Sequence, residues 1–301
     1  MNNVRSNIHR NAPAARNFTG KGVGIAVLDT GICPHPDFML PQSRIAAFSD
    51  FIGRRTFPYD DHGHGTHICG ICSGSGFASR GKYCGIAPDS HLIVGKILDR
   101  HGNGNIPSIL EAIRWVIDTK ARYQTRILNI SVGTDTKEPV SEDSVLVRGV
   151  NEAWDAGLIV VAAAGNNGPA PMSVTSPGIS RKIITVGAAD DDRHVFIHGQ
   201  RIRSYSGRGP TRECIQKPDV IAPGSDIISC GNQPEKGITY VSRSGTSMST
   251  AIVTGCIALL LEKSPDMTNK EVKLKLRATC DDLGFSANRQ GWGMINLGRL
   301  L

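Results

Sequence analysis

Short apolar runs alternate along this chain with segments of helical period. "VGIAVLD" (Val23 to Asp29), "HLIVGKIL" (His91 to Leu98), "RILNISV" (Arg126 to Val132), "GLIVVAAA" (Gly157 to Ala164) and "KIITVGA" (Lys182 to Ala188) are rich in β-branched residues and predict buried strands. Between them, Ile109, Ile113, Val116 and Ile117 fall on one face of a helix that starts near Asn105 with Pro107 in its first turn. A second helix is predicted through "SEDSVLVRGVNEAWDAG" (Ser141 to Gly157), acidic at its start and stopped by Gly157. The run "AIVTGCIALLL" (Ala251 to Leu261) predicts a long buried helix. The weakest pattern is Asp190 to Gln216, expected as a hairpin and surface loops.

The order is βαβα. Unbroken apolar strands joined by crossover helices imply an α/β fold whose mostly parallel central sheet is covered by helices on both faces. Function in such sheets collects at the C-terminal ends of the strands. "LDTG" after the first strand, "VGT" after the Leu128 strand and "AAGNNG" after the Val160 strand would all lie along that edge.

Composition narrows the classes. At 301 residues and 40% hydrophobic content the chain can bury one sizeable core, and one domain is expected. The net charge of +7 comes from scattered residues such as Arg5, Arg10, Arg201 and Arg203, with no basic run interleaved with aromatics. Nucleic acid is therefore not an expected partner. No stretch of 18 uncharged apolar residues predicts a membrane span, and the N-terminus has no secretory signal, so a cytoplasmic protein is expected. In a reducing compartment the eight cysteines would stay free. "CGIC" (Cys69 to Cys72) has redox or zinc spacing but no second pair at a ribbon distance, which favours packed thiols.

Four short segments place chemistry at loop positions. Asp29 ends a strand in "VLDTGI", and His64 sits among glycines in "DDHGHGTHICG". Asn166 closes "VAAAGNNG", and Ser247 opens the long helix in "SGTSMST". A serine hydroxyl is a weak nucleophile until a base takes its proton, and the base needs a carboxylate to fix its tautomer. Asp29, His64 and Ser247 supply that set. An amide side chain such as Asn166 and the helix N-terminal N–H of Ser247 are suitable donors to the oxyanion.

With these segments, the chain resembles the subtilisin-like serine proteases, through "IAVLDTGI", "HGTHICG", "GTSMSTAIVTG", "AAAGNNG" and "KPDVIAPG" (Lys217 to Gly224), over residues 17 to 300. The resemblance implies the three-layer fold of that family, with residues 1–16 as a short extension and 17–301 as the catalytic domain. It implies an endopeptidase in which Asp29 orients, His64 is base and then acid, Ser247 attacks and Asn166 donates to the oxyanion. His67 matches the second histidine of its motif and is expected to be structural. Peptide substrate would add as a strand beside Gly102, Asn103 and Gly104 and beside Ser131, Val132 and Gly133. Loops around Ser131 to Thr134, Ala162 to Gly165 and Met172 to Thr175 would wall the slot for the residue preceding the scissile bond.

The chain departs from the family in three places. Ala251 and Ile252 stand where the family has proline and histidine, so the first turn of the helix can sit differently. That raises a rival expectation, a selective processing protease with transpeptidase character. A catalytically dead binding protein is a second rival, set against the intact triad. The family's strong calcium loop corresponds to "SGSGFASRGKYCGIAP", which offers Arg80 and Lys82 in place of oxygen donors. No cofactor is required and no calcium is expected there, with Asp37 the lone matching carboxylate. Some 16 residues before the domain are too few for the family's folded pro-domain, so either that part is absent from this sequence or the chain folds without it; protein or peptide substrates, and a proteinaceous inhibitor or pro-segment, are the expected partners. Together these features resemble the intracellular bacterial branch.

Overall fold

Strand β1 (Gly24–Asp29) is buried at every position, and a strand with no polar face needs cover on both sides. A computed structural model, describing residues 1–133, 141–197 and 199–301, shows how the chain provides it. Helix α1 (Asn2–Asn7) precedes β1; α2 (Pro36–Met39), β2 (Ile45–Asp50), α3 (His64–Ser73), β3 (His91–Lys96), α4 (Ile106–Thr119), β4 (Thr125–Ile130) and α5 (Val145–Asp155) follow. Then come β5 (Ile159–Ala163), β6 (Ile184–Ala188), β7 (Val195–Ile197), β8 (Gln200–Ile202), β9 (Val220–Ala222), β10 (Ile227–Gln233), β11 (Ile238–Arg243), α6 (Thr246–Lys263) and α7 (Asn269–Thr279).

Seven strands form one sheet in the order β2-β3-β1-β4-β5-β6-β9, and each neighbouring pair is parallel. Helices α4 and α5 pack together on one face, α3 and α6 on the other. The chain leaves β1 first toward β2 and β3, then crosses to β4, so β1 and β4 flank the point where strand order reverses. Ligand crevices open at such a point.

Local chemistry sets the element ends. Asn105 caps α4, its side chain accepting from Ser108 N at 2.9 Å, with Pro107 in the first turn. Helix α5 starts at Val145 rather than Ser141 and is stopped by Gly157, whose φ of +91° closes the turn. The predicted hairpin in the weak region is β7 and β8, antiparallel with Val195 opposite Ile202 and Ile197 opposite Gln200. Every residue of α6 from Thr246 to Leu261 is buried, so this helix is covered all round, with the hydroxyls of Ser249, Thr250 and Thr254 each hydrogen-bonded within the core.

Residues 1–16 contribute to the same hydrophobic cluster as the sheet, through Met1, Val4, Ile8 and Ala15. Arg5 donates to Gly85 O at 2.8 Å, and Leu297 N–H donates to Ile8 O at 2.9 Å. The terminal segment is thereby clamped between the loop after α3 and the chain end.

Candidate active site

Asp29 is the last residue of β1 and fully buried. Its Oδ1 accepts from Thr30 N at 2.7 Å and from His64 Nδ1 at 2.7 Å. Because Nδ1 carries the proton toward the carboxylate, Nε2 is left with its lone pair, the tautomer a general base requires.

His64 owes its place to the way α3 starts. Gly63 adopts φ +89° before the helix, and a β-carbon on Gly65 would collide with the Gly31 carbonyl, so the helix end presses directly on the turn after β1. Asp60 ties the two together. It accepts from Thr30 Oγ1 at 2.9 Å, Gly63 N at 2.7 Å, Thr66 N at 2.9 Å and Thr66 Oγ1 at 2.6 Å. Burial alone would raise the Asp60 carboxyl, but these donors together hold it below its ordinary value. One turn on, buried His67 Nε2 reaches Ile227 O at 2.9 Å and Val241 O at 3.2 Å, fastening α3 to the β10–β11 hairpin.

Ser247 is the second residue of α6. Its hydroxyl donates to Ser131 O at 3.2 Å, so β4 reaches the nucleophile. No hydrogen bond joins Ser247 to His64 among the described residues; the serine rests on Ser131, and such catalytic bonds commonly tighten only with substrate bound. Helices α3 and α6 lie against each other, Cys72 Sγ facing Ala251 O at 3.4 Å. Asn166 Oδ1 accepts from Thr246 N at 3.0 Å and Thr246 Oγ1 at 3.1 Å, and Thr246 Oγ1 accepts from Gly165 N at 3.2 Å. With its carbonyl committed to Thr246, the amide turns its NH₂ end away, beside Gly245. An acid, a base, a hydroxyl and an amide donor thus stand at one edge of the sheet.

The profile of the subtilase family matches residues 20–293. The chain belongs to the subtilase family. It is 41% identical to the serine protease AprX of Bacillus subtilis over 294 residues, spanning 93% of this chain and 66% of that protein's length. To subtilisin Savinase of Lederbergia lenta it is 33% identical, covering 95% of this chain and 93% of that protein. Among solved structures, Sphericase superposes with a TM-score of 0.75 at 29% identity, over 93% of this chain and 92% of that one. A cold adapted subtilisin-like serine proteinase superposes at 0.72 and 28% identity, over 93% and 89%. By family the chain is a subtilisin-like serine endopeptidase, and its three-layer α/β fold is the one these relatives share.

The two expected substrate edges differ in this subtilase. Ser131 and Val132 are buried and Gly133 is exposed at the end of β4, next to the nucleophile. Thr134 lies outside the described residues. On the other edge, Asn103 N donates to Asp99 Oδ1 at 2.9 Å and Asn103 O accepts from Asp99 N at 2.8 Å. Both main-chain groups of Asn103 serve the turn, as does the Gly102 N–H, which donates to Asp99 O at 3.1 Å, and this leaves the Gly102 carbonyl and Gly104 as the groups suited to pair with a peptide. Gly102 has φ +81° and faces the ring of His62. That ring lies 6.3 Å from His64, centroid to centroid. Burial, then the neighbouring His64 and Arg243, lowers the His62 pKa.

Sequence reading missed Thr246, Asp60 and His62. Asp60 alone left a signal, an acidic residue just before a helix start. Asp37 is fully buried and already has donors on both oxygens: Gly76 N at 3.1 Å, Ala78 N at 2.9 Å and Tyr240 Oη at 2.9 and 3.0 Å. Its neighbours His35 and Cys230 complete a buried trio of metal-ligand types. His35 Nδ1 accepts from Asp37 N at 3.0 Å and Nε2 meets Thr239 O at 3.0 Å, while burial raises the Cys230 thiol well above its usual range. Donor N–H groups aimed at a carboxylate and a protonated thiol are a poor fit for a cation. Cys69 and Cys72 are buried, free thiols on α3.

Proposed function

We propose that this subtilase cleaves peptide bonds of proteins or peptides through an acyl-enzyme, with Ser247, His64, Asp29 and Asn166 as its working groups. The reading rests on the 2.7 Å contact between His64 Nδ1 and Asp29 Oδ1, which leaves Nε2 as acceptor. Ser247 Oγ attacks the carbonyl carbon while its proton passes to His64 Nε2. The oxygen that becomes negative takes hydrogen bonds from Asn166 Nδ2 and Ser247 N–H. His64 then returns the proton to the departing amine, and water repeats the sequence to release the acid. Substrate lies as an added strand between Gly102 and Gly104 on one side and Ser131, Val132 and Gly133 on the other.

The enzyme requires no cofactor and holds no calcium at the loop after α3; the donors already facing Asp37 support this. It works in the cytoplasm, where its thiols stay reduced, and it is restrained by a proteinaceous inhibitor or pro-segment; nucleic acid and membranes are not partners. Among the described residues no helix is long and apolar enough to cross a membrane. The test is labelling by a fluorophosphonate together with cleavage of a peptide library. Both should occur with the wild type and vanish with Ser247→Ala, and labelling that survives the substitution refutes the assignment. A melting temperature that collapses on chelation would refute the calcium statement.

A further inference from the structure

The last residue of β3 is a buried lysine on the strand next to that of Asp29. In the sheet register Lys96 stands between Asp29 of β1 and Asp50 of β2, and side chains level with one another on neighbouring strands share a face. All three are buried. Charged side chains in such a place are costly unless each is paired or hydrogen-bonded. Asp50 accepts from Ile52 N at 2.9 Å, Gly53 N at 2.8 Å, Arg55 N at 3.1 Å and Tyr59 Oη at 2.7 Å. Among the described residues the Lys96 ammonium bonds neither of its neighbours in the row. It donates to Thr30 O and to Asp61 Oδ1, both at 2.7 Å, with the centre of the Tyr59 ring 4.9 Å away.

Those two partners belong to the two segments that must meet for Asp29 to hold His64. The Asp29 carboxylate can turn about its last single bond, and its Oδ2 is buried without a partner among the described residues. Among those residues, apart from His64 itself, only Thr30 N fixes which way Oδ1 points. Thr30 in turn is held at three points: Oγ1 donates to Asp60 and accepts from Gly65 N at 2.8 Å, and its carbonyl is gripped by Lys96. Asp61 follows Asp60 and precedes His64 by three residues, so one ammonium spans from the turn after β1 to the loop that delivers the histidine. Resting on the endopeptidase reading above, we propose that Lys96 is a positioning residue: it fixes the Asp29 carboxylate through Thr30 and the approach of His64 through Asp61. A lysine suits the task because its ammonium carries three donors on one atom, enough to serve a carbonyl and a carboxylate together.

Lys96→Met keeps much of the bulk of the side chain and removes its donors, and exchange of a buried charge for an apolar group of similar volume is often tolerated. On the full chain, kcat should fall about 10- to 100-fold with KM within about twofold, since a small misplacement of the base acts on the reaction and not on peptide binding. A second readout separates positioning from a lysine that only holds the fold. In protein carrying Ser247→Ala and isotope-labelled histidine, the proton between His64 Nδ1 and Asp29 gives a low-field NMR line. Adding Lys96→Met should broaden that line and move it upfield as the charge-assisted contact loosens. Asp61→Ala should change both readouts in the same sense, and Asp61→Asn, which keeps an acceptor for the ammonium, should recover most of the loss. If Lys96→Met does not fold, the two Asp61 variants decide by the same readouts, because that side chain is 42% exposed. Wild-type kcat or an unchanged line in Lys96→Met overturns the proposal while Ser247-dependent cleavage stands; no such cleavage by the wild type overturns both.

Discussion

Acid should loosen the platform that carries the catalytic histidine, and His67 supplies the reason. Its Nε2 bonds carbonyls of both β10 and β11, so the neutral ring holds its proton there. A second proton would go to Nδ1, which is buried without a partner among the described residues. Burial, then Arg243 and His64, holds the pKa down to about 3. In the unfolded chain a histidine titrates near about 6.5. As pH falls below that value the unfolded state takes up a proton that the native state refuses, so stability is lost between pH 6.5 and about 3. Between pH 7 and 5, where carboxylates stay ionised, the loss from this one group is about 2 kcal/mol. Urea unfolding followed by tryptophan fluorescence measures it, in a Ser247→Ala background that prevents self-digestion. His67→Gln keeps an N–H donor but cannot titrate. His35 and His62, whose pKa values burial also lowers, are common to both proteins and cancel in the comparison. The wild type should lose about 2 kcal/mol more than His67→Gln on going from pH 7 to 5. Equal losses would refute the reasoning.

Asn166→Leu should lower kcat by about 10²–10³ with little change in KM, a scale taken from the oxyanion asparagine of subtilisin itself; steady-state kinetics on a peptide substrate checks it. Gly255→Ala places a β-carbon 2.6 Å from Ile86 Cβ. Overpacking of about 1–3 kcal/mol outweighs the helix-propensity gain of about 1, so its urea midpoint should fall. Ala251→Pro tests the missing family proline: it should change the ratio of hydrolysis to capture by an added amine, and identical product ratios in the two proteins would remove the transpeptidase reading.

Local pattern carried a large part of this protein. Burial on both faces writes itself into unbroken apolar runs, so β1, β3, β4, β5 and β6 were legible along with the parallel sheet they form. The motif residues were legible too, because Asp29 and Asn166 end or follow strands while His64 and Ser247 start helices, and those junctions have local signals. Strand β2 was not, since an edge strand that is mostly half-exposed lacks the run. The β10–β11 hairpin escaped for the same reason, with only part of β10 and little of β11 buried. Tertiary structure alone decided that Thr246 orients Asn166 across 80 residues of chain, that Asp60 binds the helix of His64 to the turn after β1, and that Lys96 grips Thr30 and Asp61. It also decided that the serine rests on Ser131 and that the Asn103 backbone is held by Asp99. A chain's periodicity records how much of each residue is buried. Which distant side chain ends up against it depends on how whole elements stack, and no local window contains that.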